Sequence, residues 1–200
     1  MTSDRHKGQR GRPRSETARR AILEAAGNLL IEEGMEKFTI EGVAARSGVS
    51  KMTIYKWWPT RGALALDGYA MFAEPRIAFR DTGDVRADLI AEVEALIRLL
   101  TETSAGAVIA GLVGAAQTDR ILAQELRERY FIPRRQMGID VLRRGQSQGS
   151  VRDDLDLEVV IDQVYGAIYN RLLIGVQPID VSMATSLVDY IFQGIAARPE

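Results

Sequence analysis

The chain has 200 residues, 46% of them hydrophobic and 26% charged, with a net charge of −1 and no cysteine. That is ordinary globular composition, with apolar mass for one large domain or two modest ones. Without cysteine there can be no disulfide framework, cysteine nucleophile or thiolate metal site, and a reducing, cytoplasmic setting is expected.

Charge is unevenly placed along the chain. Residues 1–61 hold 12 Lys/Arg against 7 Asp/Glu, and the remainder 14 against 20. A basic head on an acidic body points to a polyanionic partner for the head. The first 14 residues, MTSDRHKGQRGRPR, are nearly free of hydrophobic side chains and read as a disordered basic arm. They contain His6, the single histidine of the chain, which has no second His or Cys with which to hold a metal. No metal or cofactor is expected, and no secretory pattern follows the polar N-terminus.

Structure is expected to begin at Ser15, a good N-cap, with Glu16 in the first turn. Ile22, Ala25, Ala26, Leu29 and Leu30 follow at helical spacing, and Gly34 suits a helix end. Thr39 caps a second helix carrying Ile40, Val43 and Ala44, which stops at Gly48. Ser50 caps a third over 51–57, Pro59 ends it, and Thr60 caps a fourth. That fourth helix and those after it are predicted at 61–79, 84–103, 105–117, 119–147, 156–175 and 180–197, with Asp84, Asp119 and Asp180 as caps or first-turn acids. Pro133 should kink or split the 119–147 segment. Apolar alternation of strand type is missing. The fold class is therefore all-α, with about nine helices. The longest small-and-apolar run, 105–116, is 12 residues, too short to span a bilayer. Its glycines Gly106, Gly111 and Gly114 serve either close helix approach or room for a ligand.

The stretch 39–64, TIEGVAARSGVSKMTIYKWWPTRGAL, has the spacing of a helix-turn-helix. Two short helices that cross closely need a small residue on the first, supplied by Ala44, and a glycine in the turn, supplied by Gly48. Val49 plugs the turn from below, and Ile54 and Trp58 point inward at i, i+4. Lys51, Met52, Thr53, Lys56 and Trp57 remain on the other faces. These are hydrogen-bond donors, a methyl-bearing hydroxyl and apolar contacts, all useful in a major groove. The arm's Arg10, Arg12 and Arg14, separated by Gly11 and Pro13, can enter a narrow A·T-rich minor groove, or act as a generic basic tail through counterion release.

Glu33-Gly34, Phe38-Thr39-Ile40, Val43-Ala44, Gly48-Val49-Ser50, Thr53-Ile54-Tyr55, Trp58-Pro59 and Arg61 resemble the DNA-binding domain of TetR/AcrR-type bacterial regulators, over about residues 15–68. The resemblance implies that Thr39, Tyr55 and Arg61 grip phosphates. It implies that Lys51, Met52, Thr53 and Trp57 face base edges and that Lys56 does either. Tyr55 is expected to keep its ring inside and its hydroxyl outward. Trp57 stands where the family often has His, Tyr or Arg, and Arg61-Gly62 where it often has Lys-Glu. The implied architecture is a helix-turn-helix domain over 15–61 and a helical dimerisation and ligand-sensing domain over 62–200.

Behind the head, the 156–175 segment is apolar on more than one face. Leu157, Ile161, Val164, Ile168 and Leu172 form one stripe, and Val160, Ala167 and Ile174 lie on another. Met183, Leu187, Ile191 and Ile195 repeat the sign, beside Val188 and Phe192. Such helices must bury two sides, against their own domain or against a partner. The resemblance favours a homodimer through the last two helices. Val160, Val164, Ala167 and Ile168 would face the partner from one helix, and Leu187, Val188, Ile191, Phe192 and Ile195 from the other. It also implies a pocket for a small apolar or amphipathic ligand. Leu96, Leu100, Ile109, Leu112 and Val113 are candidates to line it, with Tyr130, Met137, Tyr165 and Tyr169.

These observations point to a homodimeric repressor that a small molecule releases from a palindromic double-stranded operator. An architectural DNA binder without ligand control is the alternative. An enzyme is not expected. The acidic pairs Glu32-Glu33 and Asp153-Asp154 read as solvated charge, and no histidine triad or phosphate-binding glycine loop occurs.

Overall fold

A computed structural model describes residues 12–195, with side chains placed over 15–194. Among these the chain is all-α, without a β-strand. Helix α1 (Arg12–Lys37) starts three residues earlier than Ser15, and Pro13 sits in its first turn, where a missing N–H costs nothing. Arg12 and Arg14 are thus helical in backbone, while Arg10 lies outside the described residues. Gly34 breaks α1 at φ 79°, ψ 173°, a backbone open to glycine alone.

Then come α2 (Ile40–Ser47), α3 (Lys51–Trp57) and α4 (Arg61–Ala73). Each is capped as its sequence requires. The hydroxyls of Thr39, Ser50 and Thr60 accept from the backbone N–H of Gly42, Thr53 and Ala63. Gly48 takes the left-handed conformation (φ 70°) that turns α2 into α3. Helix α4 ends at Ala73 rather than continuing to 79, because Pro75 cannot donate and the chain tightens into a 3₁₀ turn over Glu74–Arg76.

The body comprises α5 (Val85–Glu102), α6 (Ala105–Ala116), α7 (Arg120–Leu126), α8 (Ile132–Ser147), α9 (Leu157–Ile174) and α10 (Met183–Ile195). Asp84, Asp119 and Asp156 cap α5, α7 and α9. Asp180 instead caps the turn before α10 by accepting from Ser182 N–H, and α10 begins later than 180. Helices α7 and α8 are joined by a π turn over Arg127–Phe131 with helical φ/ψ on both sides. This resolves Pro133. The rod neither splits nor stops; it widens by a residue just before the proline, and Ile132 N–H bonds back to Arg127 O.

Helix α1 packs along α4 through a glycine crossing. A Cβ on Gly68 would lie 3.0 Å from the Gly27 nitrogen, and one on Gly27 2.8 Å from the Gly68 oxygen. Gly106 permits the 87° corner between α5 and α6, since a Cβ there would collide with the Leu100 carbonyl oxygen. Gly111 meets Met35 and Gly114 faces open space, so the three glycines serve close approach or surface. Asp88, buried on α5, accepts from Thr82 N–H (3.2 Å), Thr82 Oγ1 (2.7 Å) and Arg144 (2.6 Å), which ties the 77–84 connection down. No single helix among the described residues is long and apolar enough to cross a membrane.

Candidate nucleic-acid interface and internal cavity

The head is held by its inward side chains. Ile54 and Trp58 are buried, and Val49 and Ala44 pack half-buried against the core. What remains outside is a compact polar face. Met52 is 75% exposed and Tyr55 49%, with Lys51, Lys56, Thr39 and Arg61 exposed beside them. Half of Tyr55 is therefore outside, more than a hydroxyl tip. Ile54 and Trp58 fill the one inward face that a seven-residue helix has to offer. Trp57 is half-buried, set edge-to-face on Trp58 at 5.7 Å and 87°.

Two proposed phosphate ligands meet here. Arg61 donates from Nη1 to the Phe38 carbonyl (3.2 Å), the residue before Thr39. A guanidinium has five N–H groups, so this bond fixes its position and leaves others to donate. The Thr39 hydroxyl accepts from Gly42 N–H (3.0 Å), and its own hydrogen is left for an acceptor. Lys51 pairs with Glu41 at 2.9 Å, which raises the ammonium above its ordinary value and lowers the carboxyl. To contact DNA, Lys51 must exchange this exposed partner. The Thr53 hydroxyl is 3.0 Å from that of Ser50.

A cavity of about 350 Å³ lies in the body between α5, the π turn, α8 and α9. Tyr130, Phe131, Tyr165 and Tyr169 give it aromatic walls, and Leu96, Arg134, Arg135, Asp162 and Gly166 complete it. Glu92, buried on α5, forms an ion pair with Arg134. Burial raises the Glu92 carboxyl above its ordinary value, and Arg134 pulls it partly back. Tyr165 and Tyr169 are pushed well above the usual phenol value by burial, so their hydroxyls stay protonated. The hydroxyls of Tyr130 and Tyr165, Arg134 Nε and Glu92 Oε2 are fully buried, with the Tyr165 hydroxyl beside Glu92 and that of Tyr130 beside Tyr69 and Tyr169.

From this cavity a contiguous set of contacts leads to the head. Tyr130 stacks edge-to-face on Tyr69 of α4 at 5.3 Å. Its neighbour Arg129 forms an ion pair with Asp67 of α4, and Asp67 accepts from Trp58 Nε1 at 2.7 Å. Trp58 is the C-cap of α3.

Residues 22–67 match the family description "Bacterial regulatory proteins, tetR family", and residues 79–191 match "Tetracyclin repressor-like, C-terminal domain". The chain belongs to the TetR family of transcriptional regulators. It is 42% identical over 189 residues to YdeS of Bacillus subtilis (strain 168), named an uncharacterized HTH-type transcriptional regulator, covering 94% of this chain and 95% of that one. A DNA-binding transcriptional repressor TetR of Mycobacteroides abscessus is 29% identical over 179 residues, 88% and 92% of the two chains. The crystal structure of the TetR family transcription regulator SCO0332 superposes with a TM-score of 0.84 at 46% identity, covering 90% of this chain and 98% of that one. This TetR-family chain is accordingly a DNA-binding, helix-turn-helix regulator of transcription.

The cavity gathers Leu96, Tyr130, Tyr165 and Tyr169 from the predicted set. Leu100, Ile109 and Leu112 are core residues, and Val113 packs half-buried on that core. Met137 borders a neighbouring cavity of about 390 Å³ that shares Tyr130 and Arg134 as a wall. Among the expected dimer residues, Val160, Val164, Ile168, Val188 and Ile191 are buried within their own fold, so they have little surface to give a partner. Ala167, Leu187 and Phe192 are half-buried, and the Ile195 side chain lies outside the described residues. The apolar surface of this end is instead Val159, Leu173, Ile174 and Val176, with Tyr190 71% exposed. Sequence reasoning missed Glu92 and Arg134. The readable signal was an acid at i−4 from Leu96 on the buried stripe of α5.

Proposed function

We propose that this TetR-family regulator is a homodimeric repressor released from a palindromic operator by a small molecule in the α5–α8–α9 cavity. The observation that carries the reading is the run of contacts from Tyr130 and Arg129 through Asp67 to Trp58. A ligand that displaces the π turn acts on α4 and on the C-terminal end of the recognition helix α3 through packed and ion-paired groups. An architectural DNA binder has no use for such a link. The relative from Mycobacteroides abscessus, named a repressor, supports the direction of control.

In this reading α3 lies in the major groove. Lys51, Met52, Thr53 and Trp57 meet base edges, Thr39, Tyr55 and Arg61 hold phosphates, and Lys56 takes whichever is nearer. Arg12 and Arg14, and Arg10 ahead of them in the sequence, add contacts to the DNA. The dimer forms through α9 and α10 about the apolar surface of Val159, Leu173, Ile174 and Tyr190, and DNA binding places it in the cytoplasm. Two heads related by a two-fold read half-sites about 34–36 Å apart. Selection of bound DNA from a random pool tests this. A palindrome supports dimer and reading head together, and no enrichment refutes sequence-specific control.

A further inference from the structure

We propose that Glu41 reads bases together with Lys51, the two acting as one unit on the major-groove edge of a G·C pair. The proposal rests on the reading of α3 in the major groove given above. It adds to that reading a residue of α2 and the base pair it selects.

Placement decides first. Glu41 is the single acid among residues 39–61, against Arg46, Lys51, Lys56 and Arg61. An acid on a surface that meets a polyanion is repelled by its phosphates. Stability explains little of its place, because a first-turn acid and an exposed ion pair each contribute little to a fold. The Glu41 carboxylate is held 2.9 Å from the Lys51 ammonium, with the two side chains 65% and 54% exposed. Glu41 lies in the first turn of α2 and Lys51 opens α3, so the helix-turn-helix itself sets them side by side. The N-terminal residues of a recognition helix are those that meet base edges. The carboxylate therefore stands one hydrogen bond from a base-reading group.

Chemistry decides second. Lys51 must give up Glu41 to touch DNA, and the carboxylate then needs a donor of its own. On a phosphate it finds none. A G·C pair supplies both sides of the exchange. Guanine offers N7 and O6 as adjacent acceptors to the ammonium, and cytosine offers its N4 amino group to the carboxylate. Guanine O6 and cytosine N4 are themselves joined by a hydrogen bond of about 2.9 Å. Two side-chain groups 2.9 Å apart thus meet two base groups at the same spacing. An A·T pair fits less well. Its one donor, adenine N6, lies between the acceptors N7 and O4, so an ammonium beside the carboxylate reaches only one of them.

The test follows selection of bound DNA with chemically altered bases. Affinity of the full chain for the selected duplex is read by fluorescence anisotropy, one G·C pair of the half-site being changed at a time. N4-methylcytosine keeps Watson–Crick pairing and blocks the major-groove amino hydrogen, while 7-deazaguanine removes N7. At one G·C pair we expect N4-methylcytosine to weaken the parent about tenfold and Glu41→Ala less than about twofold. At that same pair 7-deazaguanine should weaken the parent about fivefold and Lys51→Ala less than about twofold. Ratios between duplexes cancel any general change in charge or stability, and circular dichroism checks that both variants are folded. If Glu41 is merely structural, Glu41→Ala shows the parent's ratio at every G·C pair, and the proposal is overturned. The two dependences falling on different base pairs, or a selected site with no fixed G·C pair, also overturns it and leaves sequence-specific control standing. No enrichment at all refutes that control, and the proposal falls with it.

Discussion

The Glu92–Arg134 pair makes a quantitative test of how this interior is balanced. The Glu92 side chain is 1% exposed and that of Arg134 11%. Glu92→Leu strands a guanidinium whose Nε already lacks a partner and whose Nη1 faces the Met137 sulfur at 4.0 Å. Removing one member of a buried pair costs about 3–5 kcal/mol, against about 0–1 for an exposed one. For a chain of this size, where each kcal/mol moves the midpoint by about 2–4 °C, the melting temperature should fall by about 6–20 °C. Glu92→Leu combined with Arg134→Leu removes both charges and leaves apolar volume, so stability should return to within about 2 kcal/mol of the parent. Urea unfolding of all four proteins at pH 7, with parallel melting curves, closes the double-mutant cycle. A single variant that loses less than about 1 kcal/mol, or a double variant as unstable as the two losses added, would refute the account.

The same carboxyl gives a pH dependence. Its value is raised in the fold, so between the unfolded and folded values the folded chain holds more protons. Its contribution is fully present below the unfolded value and is lost as pH rises through the folded one. Relative to Glu92→Gln, the urea midpoint of the parent should therefore decline across that window, and a flat difference would contradict it. At the head, Thr39→Ala removes the α2 cap and a phosphate donor together. It should cost about 1 kcal/mol of stability and also weaken operator binding, while Thr39→Ser keeps both. Arg61→Ala should lower the slope of log affinity against log salt by about 1, read by fluorescence anisotropy, and an unchanged slope would remove Arg61 from the phosphate contacts. Asp67→Ala leaves the buried Trp58 indole N–H without an acceptor and should cost about 1–3 kcal/mol in urea unfolding. If ligand and operator communicate through Asp67, it should also uncouple them; operator release identical to the parent would place the coupling elsewhere.

What the sequence disclosed follows the range of the forces involved. Thr39, Ser50 and Thr60 could be read as caps because a cap joins residues two or three apart. Gly48 and the inward Ile54 and Trp58 were legible for the same reason. The boundaries that shifted turn on prolines. Pro13 extends α1 backward because a helix start tolerates it, and Pro75 closes α4 early because a helix interior does not. Pro133 stood open between kink and break. The π turn before it is a third solution, one that depends on Tyr130 and Phe131 finding ring partners on α4 and α9.

The site was less legible, and α9 shows why. A periodic apolar stripe establishes that a face is buried, without saying what buries it. Val160, Val164 and Ile168 satisfy that pattern within their own chain, and the exposed apolar side chains are residues that break it, Val159 and Leu173. In the cavity the aromatic residues could be proposed from their chemistry. Leu100, Ile109 and Leu112 could not be told from lining residues, because leucine and isoleucine serve core and pocket alike. The more informative signal was the exception. Glu92 lies among Leu89, Val93 and Leu96 on the buried side of α5, where an acid is too costly to persist without a partner. That partner, Arg134, comes from α8, 42 residues away. An acid on an apolar stripe thus says from sequence that an ionic or polar centre exists inside, while the fold is needed to show which residue balances it.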